Sequence, residues 1–140
     1  MRVPFLPLPR PRRRKRDRSL KTLAPYVPPA PPPPPAALVL VGAEYATAST
    51  VRLTFDRAID ISALNGPAVV VDDGADTGNA YRGTGYAVLV TPASAELDLV
   101  LLGPASGSGT TLSATAASGI VAVNDGGTWA GVISVALPLP

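Results

Sequence analysis

The sequence predicts an all-β protein, a sandwich of about seven to nine short strands behind an extended, proline- and arginine-rich arm. Three observations point there. In the stretch 51–56, Val51, Leu53 and Phe55 alternate with Arg52, Thr54 and Asp56, the period of a half-buried strand. Further short apolar runs follow, divided by turn residues, and none has helical spacing. Composition breaks near residue 35: of 12 Lys and Arg, nine lie in residues 1–35, and so do 12 of the 17 prolines.

The arm, residues 1–35, carries one acid, Asp17, and hence a formal charge of +8. Its first eleven residues alternate proline with apolar side chains, which forbids helix and favours an extended path. Phe5, Leu6 and Leu8 lie bare on such a path. They read either as chance hydrophobes of a tail or as plugs for a groove on a neighbouring subunit.

Arg10, Arg12, Arg13, Arg14, Lys15, Arg16, Arg18 and Lys21 form a basic block. The block suits an acidic protein surface, nucleic-acid phosphates, or simple solubility. No aromatic residue interleaves it, so any contact with nucleic acid is expected to be blind to sequence. A weak nuclear-localisation pattern fits the same residues. Residues 24–35 end in five prolines, a semi-rigid spacer that is also a form taken by ligands of aromatic-lined grooves.

Residues 36–140 hold Arg52, Arg57 and Arg82 against nine acids, a formal charge of −6. Strands are expected in order at Ala37–Ala46, Thr50–Phe55 and Pro67–Val71, with a short edge strand at Ala80–Arg82. Tyr86–Thr91 and Glu96–Leu102 follow, joined by the loop Pro92–Ala95, with Leu97, Leu99 and Leu101 inward and Asp98 outward. A Gly/Ser loop, 103–109, leads to Thr111–Thr115 and Gly119–Val123. Asn124-Asp125-Gly126-Gly127 is a strong turn, and Trp129–Leu137 closes the body, with Trp129 the one large aromatic able to anchor a core.

Chemistry is thin. There is no cysteine and no histidine, which removes disulfides, thiolate nucleophiles, His-based triads and the commonest metal ligands. Asp72, Asp73 and Asp76 crowd around Gly74; they are a weak calcium candidate, because the ligand ladder is incomplete and Asp and Gly are ordinary turn residues. Asp56 and Asp60 form an acid–base pair only in outline, with nothing in the sequence to tune them. Gly107–Thr110 lacks the Lys and following helix of a phosphate loop. Tyr81, Tyr86 and Trp129 read as core or edge aromatics ahead of a sugar platform. No apolar run reaches the roughly 20 residues of a membrane span, and no secretory leader pattern opens the chain. The expectation is a chain that needs no cofactor, does not enter a membrane and is not exported by the general secretory route.

Residues 51–60, Val-Arg-Leu-Thr-Phe-Asp-Arg-Ala-Ile-Asp, and the later Asn124-Asp125-Gly126-Gly127-Thr128-Trp129-Ala130-Gly131-Val132 carry a resemblance. Over residues 38–138 the chain resembles bacterial immunoglobulin-like repeats of the SwmB type. The resemblance implies an immunoglobulin-like β-sandwich and an adhesive or spacing role without catalysis. The chain departs from such repeats in having one copy and a basic arm. A single module of this kind on a tether is similar to accessory proteins of tailed bacteriophage virions. That implies a minor virion component, a capsid decoration or a neck or tail accessory, with other virion proteins or further copies of itself as partners. A cell-surface adhesion or carbohydrate-binding module is the alternative.

Overall fold

A computed structural model describes residues 2–11, 24–72, 86–105 and 110–138. The chain divides into two units, Met1–Pro32 and Pro33–Pro140. In the first, the described residues form neither strand nor helix and all are exposed. The second is built of strands: β1 Leu40–Thr47, β2 Thr50–Phe55, β3 Ile59–Asp60, β4 Val69–Asp72, β5 Tyr86–Leu89, β6 Glu96–Val100, β7 Thr111–Thr115, β8 Val121–Ala122 and β9 Gly131–Ala136. Two short 3₁₀ turns, Gly66–Ala68 and Ala116–Ser118, join them. No helix among the described residues is long and apolar enough to cross a membrane.

The strands pair in the orders β1-β2-β6-β5 and β4-β7-β9, with β3 and β8 as a small separate pair. Setting that pair aside leaves four strands and three, first-second-fifth-fourth against third-sixth-seventh. This is the pairing order of a constant-type immunoglobulin sandwich. One core joins the two sheets: Val51, Leu53 and Phe55 from β2, Leu97 and Leu99 from β6, Val69 and Val71 from β4, and Leu112 and Ala114 from β7.

Register follows from the side chains. In the β2–β6 ladder Val51 faces Leu99 and Leu53 faces Leu97, while Arg52 faces Asp98 between them. A slip by one residue would turn Arg52 into the core and Leu53 to water. The apolar alternation and the cross-strand ion pair therefore specify the same register. Trp129 is 2% exposed and meets Phe55 edge to face, with ring centroids 5.3 Å apart and planes at 87°. A parallel bridge from Trp129 to Leu38 ties the start of the body to its end.

Thr50–Phe55 and Thr111–Thr115 form with the bounds expected. Others are shorter. Pro67 and Ala68 lie in a 3₁₀ turn and the strand begins at Val69, because proline has no N–H for a ladder and instead starts a turn closed by Ala68 N–H on the Asn65 carbonyl. The first strand begins at Leu40, not Ala37; before it, Leu38 donates to the Thr128 carbonyl. Gly119–Val123 narrows to Val121–Ala122, since Gly119 adopts φ +75° at the end of a 3₁₀ turn. Trp129 stands outside the last strand, which opens at Gly131 with φ +88°. The strand expected at Ala80–Arg82 lies outside the described residues.

Candidate functional site

The arm offers the most unusual surface. Val3, Phe5, Leu6 and Leu8 are all at least 85% exposed, and Tyr26 and Val27 exceed 80%. Proline density explains this: a chain that cannot build a ladder or a helix has no means of covering its own side chains. Arg10 is described and exposed, whereas Arg12, Arg13, Arg14, Lys15, Arg16, Arg18 and Lys21 lie outside the described residues.

Among the described residues of the body, Arg52 and Arg57 and the acids they meet are spent on structure. Arg52 donates from Nε and Nη2 to the two carboxylate oxygens of Asp98 at 2.8 and 3.0 Å, a two-pronged pair across β2 and β6, and Glu96 lies 3.9 Å away. The hydrogen bond to Asp98 is the main cause holding the guanidinium above its ordinary pKa. Partial desolvation opposes it, and the charges of Asp98, Glu96 and Glu44 add to it. By sign, whatever this contributes is present at every pH below the ordinary arginine range and is lost only in stronger alkali.

Arg57 is a second organising cation, and nothing local in the sequence marks it. Its Nη1 reaches Asp56 at 2.6 Å, its Nη2 donates to the Ala36 carbonyl at 2.6 Å, and Asp125 lies 3.5 Å away. One side chain thus clamps the first residues of the body to the turn after β2 and to the Asp125 turn. Gly127 permits this approach, since a Cβ there would lie 2.0 Å from the Ala36 oxygen and 2.6 Å from Arg57 Nη2. Arg57→Ala is expected to cost about 1–2 kcal/mol, the charged hydrogen bonds being discounted for partial exposure. Urea unfolding reads that loss. Hydrogen exchange should also quicken at the Leu38 amide, which is held by Thr128.

Asp56 and Asp60 do not form an acid–base pair. Asp56 accepts from the Val39 amide at 3.2 Å and from Arg57, while Asp60 accepts from the Ser62 amide at 2.8 Å and the Ser62 hydroxyl at 3.0 Å. Both carboxylates close turns. Asp60 does border an open depression of about 450 Å³, lined otherwise by Ile59, Leu89, Val121 and their neighbours. Asp60 is the one titratable side chain among its lining residues, and both its carboxylate oxygens are engaged by Ser62.

Of the calcium candidates only Asp72 is described, at the end of β4; Asp73 and Asp76 lie outside the described residues. Among the described residues no three acids gather to hold a metal. Of the aromatics weighed as a sugar platform, Trp129 is in the core, Tyr81 lies outside the described residues and Tyr86 is described as a position in β5.

A second depression, of about 280 Å³, lies where β7 ends and β9 begins, lined by Ala114, Ala116, Ala130, Val132 and Ile133 among others. Ile133 is 90% exposed. The ladder shifts register between Leu112 and Ala114, and Ser134, with φ +49°, turns its N–H onto the Ser113 hydroxyl at 3.0 Å. The bulge lets Val132 and Val135, three residues apart, both pack against the core and leaves Ile133 and Ser134 outward between them, a spacing that strict alternation does not disclose.

Compared with known proteins, the chain matches no family model, no curated protein and no solved structure.

Proposed function

We propose that the chain is a non-enzymatic assembly protein, a sandwich knob fastened to a larger complex by its N-terminal arm. In its most specific form the reading is a minor component of a tailed bacteriophage virion, a capsid decoration or a neck or tail accessory. The observation that carries it is the contrast between the two units. The body seals its core, with Val51, Leu53, Val69, Val71, Leu97, Leu99 and Leu112 at 0% exposure. The arm leaves Phe5, Leu6 and Leu8 at 89–102% exposure. Burying such side chains is worth about 1.5–3 kcal/mol each, so a partner that covers them gains both affinity and register. Proline limits the entropy lost on docking, because the free arm is already extended.

Four of the described carboxylates accord with the same reading, since Asp56, Asp60, Asp98 and Asp125 each hold a turn or a strand pair. The virion assignment rests on the resemblance of the module and its tether to phage accessory proteins. Within it, the basic block meets an acidic subunit surface or packaged nucleic acid.

Density-gradient sedimentation of particles from the cell that makes the protein tests this. The full chain should travel with assembled particles, and a chain lacking residues 1–35 should stay at the top of the gradient. Recovery in the cell-surface fraction instead would favour the adhesion module. In the isolated chain, trypsin should cut within Arg10–Lys21 and leave residues 22–140, the body with its proline spacer still attached, because no Lys or Arg lies between Lys21 and Arg52.

A further inference from the structure

Prolines 7, 9 and 11 recur at every second residue, with Leu6, Leu8 and Arg10 between them. In an extended chain, alternate residues direct their backbone N–H groups to opposite sides. Every N–H of residues 6–11 therefore lies on one side, and the other side has none. Each proline also biases the residue before it to extended backbone, so the segment is held in strand-like form without a partner. Such a strand can pair along one edge and cannot pass the ladder on.

We propose that Phe5–Pro11 of one copy adds as a strand to the β9 edge of a second copy. The inference rests on the reading of the arm as an anchor and names what it anchors to. β9 ends the β4-β7-β9 sheet. Its six residues, Gly131–Ala136, carry no charge and no proline, two of the guards of an edge, and its ladder has a single register shift, at the Ser134 bulge. The competing edges are less suited: β1 bears Glu44 and shifts register twice, while β4 and β5 have four residues each. Ile133 and the apolar depression beside it receive Phe5, Leu6 or Leu8. Charge complements the fit, an arm of +8 meeting a body of −6, which steers the encounter and is screened by salt. Five consecutive prolines, Pro31–Pro35, form a stiff spacer that favours a neighbour's edge over the chain's own. Arm to edge is a head-to-tail contact, so the product is a ring or a short filament.

Sedimentation velocity of the full chain over a wide concentration range tests the proposal. Wild type should shift from monomer to oligomer. L6P/L8P removes two of the three donors on the pairing side, leaving that of Arg10 alone, and should stay monomeric. Ile133→Lys, at an exposed position, should fold as wild type and also stay monomeric. P7A/P9A restores donors on the blocked side and should give larger, continuing assemblies. Oligomers that survive L6P/L8P or Ile133→Lys, or that form only with added nucleic acid, overturn the proposal. A monomer whose arm trypsin removes overturns it while leaving the anchor reading intact. A monomer whose arm is protected overturns both, because the arm then packs on its own body.

Discussion

Trp129→Ala is expected to lower the stability of the body by about 3–5 kcal/mol, the cost of emptying a fully buried indole site. Trp129 is 2% exposed and stands edge-on to Phe55, an arrangement worth about 0.5–1.5 kcal/mol beyond the area it buries. The residue also pairs with Leu38 in a parallel bridge, the Leu38 amide donating to the Thr128 carbonyl, and the Trp129 amide donates to the Ile120 carbonyl. Loss of the ring leaves a void against Phe55 at the place where the start of the body bridges to its end. Domains of this size have about 5–15 kcal/mol in total, so the variant should sit close to unfolding at moderate temperature. Urea titration should show a lower midpoint with an unchanged slope, the mark of lost stability without a changed denatured state. A loss below about 1 kcal/mol would mean that the core closes over the site, and the anchoring role of Trp129 would be wrong.

The reach of sequence reasoning varies with how local the signal is. Thr50–Phe55 is legible residue by residue because one face is buried and the period is two, so inside and outside are written in alternation. The same holds for Leu97, Leu99 and Leu101 against Asp98, all placed as the alternation requires. Ends of strands are less legible, since they depend on where the backbone can still donate or must turn. Pro67 moved one start, and Gly119 and Gly131 moved two others through positive φ. Pairing order was out of reach. β2 meets β6 and β4 meets β7 across about forty residues of chain, and no local pattern names a partner that distant.

The candidate site divides the same way. That Phe5, Leu6 and Leu8 are uncovered follows from proline density, a local property. Arg57 is different: its partners Ala36 and Asp125 lie far from it in the chain, and an isolated arginine after a strand reads as an ordinary surface charge. Ile133 is a third case. Alternation counted from Val132 sends Ile133 outward and alternation counted back from Val135 sends it inward; the bulge at Ser134 and Ser113 decides between them, keeping both valines on the core.

Gly131→Ala is the substitution expected to rival the loss of Trp129. At φ +88° an L side chain is strained whatever the space around it, at about 1–2 kcal/mol. Here the space is also taken: a Cβ would lie 2.2 Å from the Ala114 oxygen, 2.7 Å from its carbonyl carbon and 2.8 Å from the Thr115 Cα. These are backbone atoms of β7, so no side-chain rotation relieves the overlap. β9 must move away at that end and loosen the pairs Thr115–Gly131 and Ala114–Val132. The total should reach about 3 kcal/mol or more, the upper part of the range for single substitutions. Gly126→Ala supplies the comparison, because Gly126 has φ +70° with nothing within 4 Å of its Cβ position. Its cost should be the conformational part alone, about 1–2 kcal/mol, and the difference between the two variants measures the steric part. Equal costs would mean that β9 does not approach β7 as closely as described. Because the same displacement moves the β9 edge, Gly131→Ala should weaken self-assembly together with stability. Ile133→Lys should separate the two, abolishing assembly while the unfolding midpoint stays where it was.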